Sequence, residues 1–218
     1  MTRTSNARLA GSAFLVYIAA GITSMVLFGR ASAGGTVAER LAAIDQNRAF
    51  VGVVELLGLV QCLSALVLGV TLWAITRDED ADLSMLGMLC RVGEGLVGVT
   101  SIPETQRLLW LAATRGDGSL DAGATNALGA YMLKGDSSLT ATLFAVGSTL
   151  FCYLLLRGRM IPTVLAWIGV VASVLLVVVL PLQLAGFLHG AVTMYVWLPM
   201  LAFEVPFAVW LLTKGVKG

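Results

Sequence analysis

Arg91 and Glu94 stand three residues apart inside an apolar stretch of this chain. In a helix that spacing puts both on one face. A third ionisable residue, Glu204, lies in another apolar stretch between Pro199 and Pro206, and Glu55 and Gln61 share a further one. A charged side chain at the centre of a bilayer costs about 2.5–3.5 kcal/mol on insertion scales, so it needs a partner or a wet cavity. Counting about 1.5 Å of rise per residue puts Arg91, Glu94, Glu204 and Gln61 near the midplane of their stretches. Glu55 falls some two turns nearer one face, and Glu104 stands at a mouth just after Pro103.

One arginine balances one carboxylate. If Glu55, Glu94 and Glu204 face one another, acid outnumbers base, and at least one glutamate is expected to keep its proton in so dry a site. A protonated carboxyl in apolar surroundings is a usable general acid. Glu94 is the expected acid, Glu204 the second carboxylate, and Arg91 the group that fixes their charge states. Gly87, Gly95 and Gly98 lie near the same face and allow close helix approach. The same cluster can equally do no more than tie three helices together.

The binding set expected around these three is Glu55, Gln61, Tyr195, Trp197 and Phe203. An interfacial aromatic belt also accounts for Tyr195 and Trp197, as it does for Trp73 and Trp210. A ring lining the cavity could stabilise a cation. Pro206 removes the bond to the carbonyl of Ala202, Pro199 the bond to Tyr195, and Pro103 the bond to Val99. Breaks of this kind at membrane depth often line cavities.

The elements that must position these residues follow from composition. Of 218 residues, 58% are hydrophobic and 12% charged, with a mean hydropathy of +0.89. Soluble domains carry roughly 25% charged residues, so an ordinary water-soluble globule is excluded. A helix crosses the hydrocarbon in about 20 residues. Six stretches qualify: 11–29, 50–75, 84–102, 138–156, 162–182 and 191–213. Their apolar runs are continuous and do not alternate, so they read as helices and not barrel strands. The expected fold is an all-α polytopic membrane protein of six transmembrane helices, in one membrane domain over 1–218.

Arg3 and Arg8 before an apolar run ending in Ala31-Ser32-Ala33 resemble a secretory signal. The run Leu9–Phe28 is long for a signal core, so it is expected to remain as the first span. The tight clusters Arg157/Arg159 and Lys214/Lys217 favour both termini on the cytoplasmic side. Thr36 and Glu39 form a capping box, and Val37, Leu41 and Ile44 follow at helical spacing, so a short interfacial helix is expected there. A second surface helix or a lid is expected over Ala122–Leu133. Asp78-Glu79-Asp80 reads as a solvated turn.

Several chemistries are excluded. His189 has no second ligand at zinc or haem spacing. Cys62, Cys90 and Cys152 are isolated and read as packing residues, no phosphate-binding glycine loop occurs, and the serines lack a histidine base. No cofactor or metal is expected. The net charge of +1 gives no case for nucleic acid. The partners expected are the bilayer and an apolar small molecule.

Three segments carry a resemblance. Arg91-Val-Gly-Glu94, Tyr153-Leu-Leu-Leu-Arg157 through Ile161-Pro162-Thr-Val-Leu, and Glu204-Val-Pro-Phe-Ala-Val-Trp210 through Lys217 resemble the bacterial membrane proteins of the domain-of-unknown-function 4386 family. The similarity runs from Arg8 to Lys217, with Gly116–Gly135 departing from it. The resemblance implies six spans and a bacterial inner-membrane location, and it brings no activity with it.

Two classes of function fit. One is binding of an apolar lipid or isoprenoid in the Glu/Arg pocket, with acid catalysis as its extension. Small membrane-bound terpene cyclases offer an analogy of chemistry only. The other is proton-coupled transport, in which the glutamates carry protons and the proline-broken helix moves. A structural subunit without ligand is the remaining reading.

Overall fold

The computed structural model describes residues 2–115, 121–135, 138–188 and 195–216. All regular structure among them is helical: α1 (Arg3–Ala31), α2 (Val37–Gln46), α3 (Arg48–Thr76), α4 (Ala81–Gly98), α5 (Ser101–Thr114), α6 (Ala122–Lys134), α7 (Ser138–Arg157), α8 (Thr163–Leu184) and α9 (Leu198–Thr213). Among the described residues five stretches are long and apolar enough to cross a bilayer, namely α1, α3, Ala81–Thr114, Ala122–Arg157 and α8. The sixth apolar helix, α9, has 16 residues. The protein is therefore an all-α membrane protein. In hydrocarbon the backbone must bond within each segment, and unbroken apolar runs leave the helix as the way to do it.

The spans expected at 84–102 and 191–213 differ in detail. The first divides into α4 and α5. Pro103 has no N–H to give to Val99, and the N–H of Ile102 bonds that carbonyl instead at 3.1 Å. This tighter bond ends one helix and begins the next. In the second, Pro199 sits in the first turn of α9, so it starts the helix and interrupts nothing. Pro206 does lie inside α9.

The described chain forms two compact units. The first contains Met1–Tyr17, Cys62–Val97 and Ser137–Gly218, and the second Ile18–Gln61 and Gly98–Asp136. In the first unit α8 packs against both α7 and α9. Phe151, Leu155, Ala166, Leu176, Phe203, Phe207 and Leu211 are buried there. Small residues set the approach. A Cβ at Gly169 would stand 2.7 Å from the ring of Phe203 and 2.8 Å from Cys152 Sγ. One at Gly11 would stand 2.7 Å from the carbonyl oxygen of Ala208 on α9. That neighbour is backbone and cannot swing away. Gly11→Ala should therefore lose about 1–3 kcal/mol of stability through overpacking. Gly29, also on α1, has nothing within 4 Å. Gly29→Ala should gain up to about 1 kcal/mol from helix propensity. Thermal unfolding of both variants in one detergent checks the pair, and equal shifts would contradict it.

In the second unit the capping box forms as expected, with Thr36 Oγ1 accepting the Glu39 N–H at 3.2 Å and Glu39 Oε2 accepting the Thr36 N–H at 3.2 Å. Leu41 and Ile44 of α2 are buried with Leu108, Leu111 and Ala112 of α5. The stretch expected as a surface helix or lid is the helix α6, capped by Asp121 Oδ1, which accepts the Ala124 N–H at 2.8 Å. Thr36→Ala should cost about 1 kcal/mol. Amide exchange in the first turn of α2 should speed up, with no change in α8. In the first unit the acidic run forms the turn into α4, where Asp80 Oδ1 accepts the Leu83 N–H at 3.1 Å.

Candidate functional site

The buried residues of α4 are Ser84, Gly87, Cys90, Arg91, Glu94 and Gly95. They recur at helical spacing, so the face that carries the charge also carries the small residues. The stem of Arg91 runs between two glycines. A Cβ at Gly69 of α3 would stand 3.2 Å from Arg91 Cβ, and one at Gly147 of α7 would stand 3.3 Å from Arg91 Cδ. Both positions hold a glycine where a side chain would crowd the arginine.

Arg91 is 1% exposed and Glu94 2%. Arg91 Nη1 pairs with Glu94 Oε2 at 2.9 Å. The other carboxylate oxygen, Glu94 Oε1, accepts the Tyr17 hydroxyl of α1 at 2.7 Å. The guanidinium carbon lies 4.9 Å from the ring of Phe144 and 5.3 Å from that of Tyr17. Those two rings are parallel within 3° at 6.4 Å, and Trp197 stands 5.8 Å beyond Phe144. Arginine favours aromatic faces because the ring quadrupole attracts a weakly hydrated cation.

Glu204 of α9 is 6% exposed, between the buried Phe203 and Phe207. It lies within electrostatic reach of Arg91 and Glu94. Its Oε1 makes no hydrogen bond, and it forms no ion pair among the described residues. Arg91 Nε and Nη2 are likewise buried without a hydrogen-bond partner, and Nη1 meets Glu94 as an ion pair outside hydrogen-bond geometry. A buried polar atom left unpaired costs about 1–3 kcal/mol, and more when charged. Among the described residues the buried charged side chains are thus one cation, Arg91, and two acids, Glu94 and Glu204, all in the first unit, with an unsatisfied donor edge on the arginine and aromatic rings beside it.

Over residues 9–215 the chain matches the family described as domain of unknown function 4386. It belongs to that family. Every residue of the cluster, Tyr17 and Phe144 included, lies within the matched range. No curated protein and no solved structure matches the chain.

The other expected site residues of this domain-of-unknown-function 4386 member are placed as follows. Trp197 is half-buried beside Phe144, and Phe203 is buried against α8. Tyr195 is 59% exposed, as a belt residue would be. Glu55 belongs to the second unit, where both its oxygens accept Gln106 Nε2, at 2.8 and 2.6 Å. Gln61 is in that unit too, its Nε2 where a Cβ on Gly21 would come within 2.7 Å. The structure thus brings Arg91, Glu94 and Glu204 into one unit and gives Glu55 a neutral partner elsewhere. Cys62, Cys90 and Cys152 are free and buried. His189 and Lys217 lie outside the described residues.

Sequence reasoning missed Tyr17 and Phe144. Tyr17 left a faint signal, as the lone tyrosine in the middle of an apolar run. Phe144 left none, because a phenylalanine in a membrane helix is ordinary. An open apolar groove of about 450 Å³ runs along α8, lined by Thr163, Val164, Trp167, Ile168, Val171, Ala172 and Pro199. It holds no ionisable residue.

Proposed function

We propose that the Arg91–Glu94–Glu204 cluster is an intramembrane binding site for a small, largely apolar molecule taken from the bilayer, of the lipid or isoprenoid class. The observation that carries this reading is the set of free polar atoms, Arg91 Nε, Arg91 Nη2 and Glu204 Oε1, all buried in one unit. A helix-tying ion pair satisfies its donors internally, because leaving them bare is costly. Here one carboxylate oxygen, Glu94 Oε2, faces one nitrogen, Arg91 Nη1, and the other two nitrogens meet no acceptor among the described residues. A ligand with a polar end would satisfy these atoms, and the faces of Tyr17, Phe144 and Trp197 would suit its apolar body.

Glu204, and not Glu94 as expected from the sequence, is the acid free to exchange a proton in this reading, since Glu94 already faces the cation and Glu204 has no ion pair among the described residues. A protonated Glu204 is also where acid catalysis on an alkene or epoxide would begin. The test is native mass spectrometry of the purified full chain. Wild type should carry a co-purified lipid or isoprenoid, and both Glu94→Gln and Glu204→Gln should lose most of it. The same adduct in all three proteins, or none in any, would remove the binding reading.

Proton-coupled transport draws on one specific feature, Pro206 inside α9 two residues after Glu204, which has no N–H to give to the carbonyl of Ala202. It expects substrate-driven pH changes in proteoliposomes that vanish in both glutamine variants. Changes that persist in both would eliminate it.

A further inference from the structure

We infer that the polar end this site takes is a neutral oxygen acceptor, such as the carbonyl of an ester, ketone or aldehyde, held by Nε and Nη2 of Arg91. The inference rests on the binding reading above and specifies its ligand. Nε and Nη2 form one edge of the planar guanidinium, and both are donors with no acceptor capacity. Both are buried and unpaired, while Nη1 faces Glu94 at 2.9 Å. A carbonyl oxygen has two lone pairs and can take both N–H groups of that edge.

Charge selects among heads. The cation of Arg91 is already matched by Glu94. An anionic head would place a further negative charge beside Glu94, with Glu204 in electrostatic reach of both. In a low-dielectric core that repulsion outweighs the gain at the edge. An ammonium head would gain from Glu204, but it has no acceptor to offer the guanidinium and would be repelled by it. A pure hydrocarbon fits the aromatic walls of Tyr17, Phe144 and Trp197 and leaves the donors bare. A site built to hydrogen-bond its ligand rejects analogues that lack the group far more strongly than it rejects a change in apolar size.

The experiment uses the full chain in detergent micelles and four probes of matched chain, methyl oleate, oleate, oleylamine and octadecene, competed in pairs and read by native mass spectrometry. Methyl oleate should win over each of the others by about tenfold or more. Arg91→Lys, whose ammonium lacks the planar edge, should reduce that preference several-fold. If Arg91→Lys does not fold, Glu204→Gln reads the charge argument alone. With the second acid neutralised, oleate should gain several-fold on methyl oleate. Tighter binding of oleate, oleylamine or octadecene than of the ester would overturn the neutral-acceptor inference and leave the binding site standing. Binding of none of the four, with no co-purified molecule on the wild type, would overturn both.

Discussion

Arg91→Met is expected to destabilise the folded chain by about 3–5 kcal/mol, the usual cost of removing one partner from a buried ion pair. The substitution nearly preserves volume, so little of the loss is packing. What it removes is the cation paired with Glu94, which is 2% exposed and among the described residues then keeps the neutral Tyr17 hydroxyl. Glu204 loses the same field. Two acids in one core then have no counter-charge, and hydrocarbon supplies no solvent to replace it. Denaturant unfolding in mixed micelles reads the loss. Arg91→Met combined with Glu94→Gln should recover the larger share of it, because Glu204 is then the one member of the three left without its counter-charge. A double variant as unstable as Arg91→Met alone would mean that the arginine acts through packing between Gly69 and Gly147, not through charge.

The second large effect is a contrast between two chemically identical substitutions. Glu94→Gln should cost about 3 kcal/mol or more, since it strips from a cation that is 1% exposed its only ion-pair partner among the described residues. Glu204→Gln should leave stability within about 0.5 kcal/mol of wild type, or raise it. Glu204 has no ion pair among the described residues, and its Oε1 has no hydrogen bond to lose. A neutral amide of the same shape removes an unbalanced acid and adds nothing that clashes. Both variants keep the helix and the volume, so the difference isolates the pairing. Equal losses at the two positions would show that Glu204 is paired as firmly as Glu94.

The contrast also shows which parts of the site the sequence makes legible. Charge in an apolar run is rare enough that Arg91, Glu94 and Glu204 stand out unaided, and all three are buried in the first unit. Local rules carried the capping box at Thr36 and Glu39, because both partners lie within one helical turn. The break between α4 and α5 is less legible. Pro103 fixes where a bond must fail, but whether the chain kinks or restarts depends on Ile102 taking the vacated carbonyl. Glu55 marks where depth counting ends. Its partner, Gln106, is 51 residues away and neutral, and rise per residue carries no information about which helix comes alongside. Phe144 lies further still from sequence reach, since a ring becomes a cation's neighbour only once two helices have packed.

If Arg91, Glu94 and Glu204 share one electrostatic site, a double-mutant cycle measures that sharing. The quantity is the cost of Arg91→Met in wild type and in Glu204→Gln, read by unfolding under one condition. If the two acids lean on one cation, the cost should fall by at least about 1 kcal/mol once Glu204 is neutral, well outside the scatter of independent sites. An unchanged cost in the two backgrounds would separate Glu204 from the arginine and contradict the site.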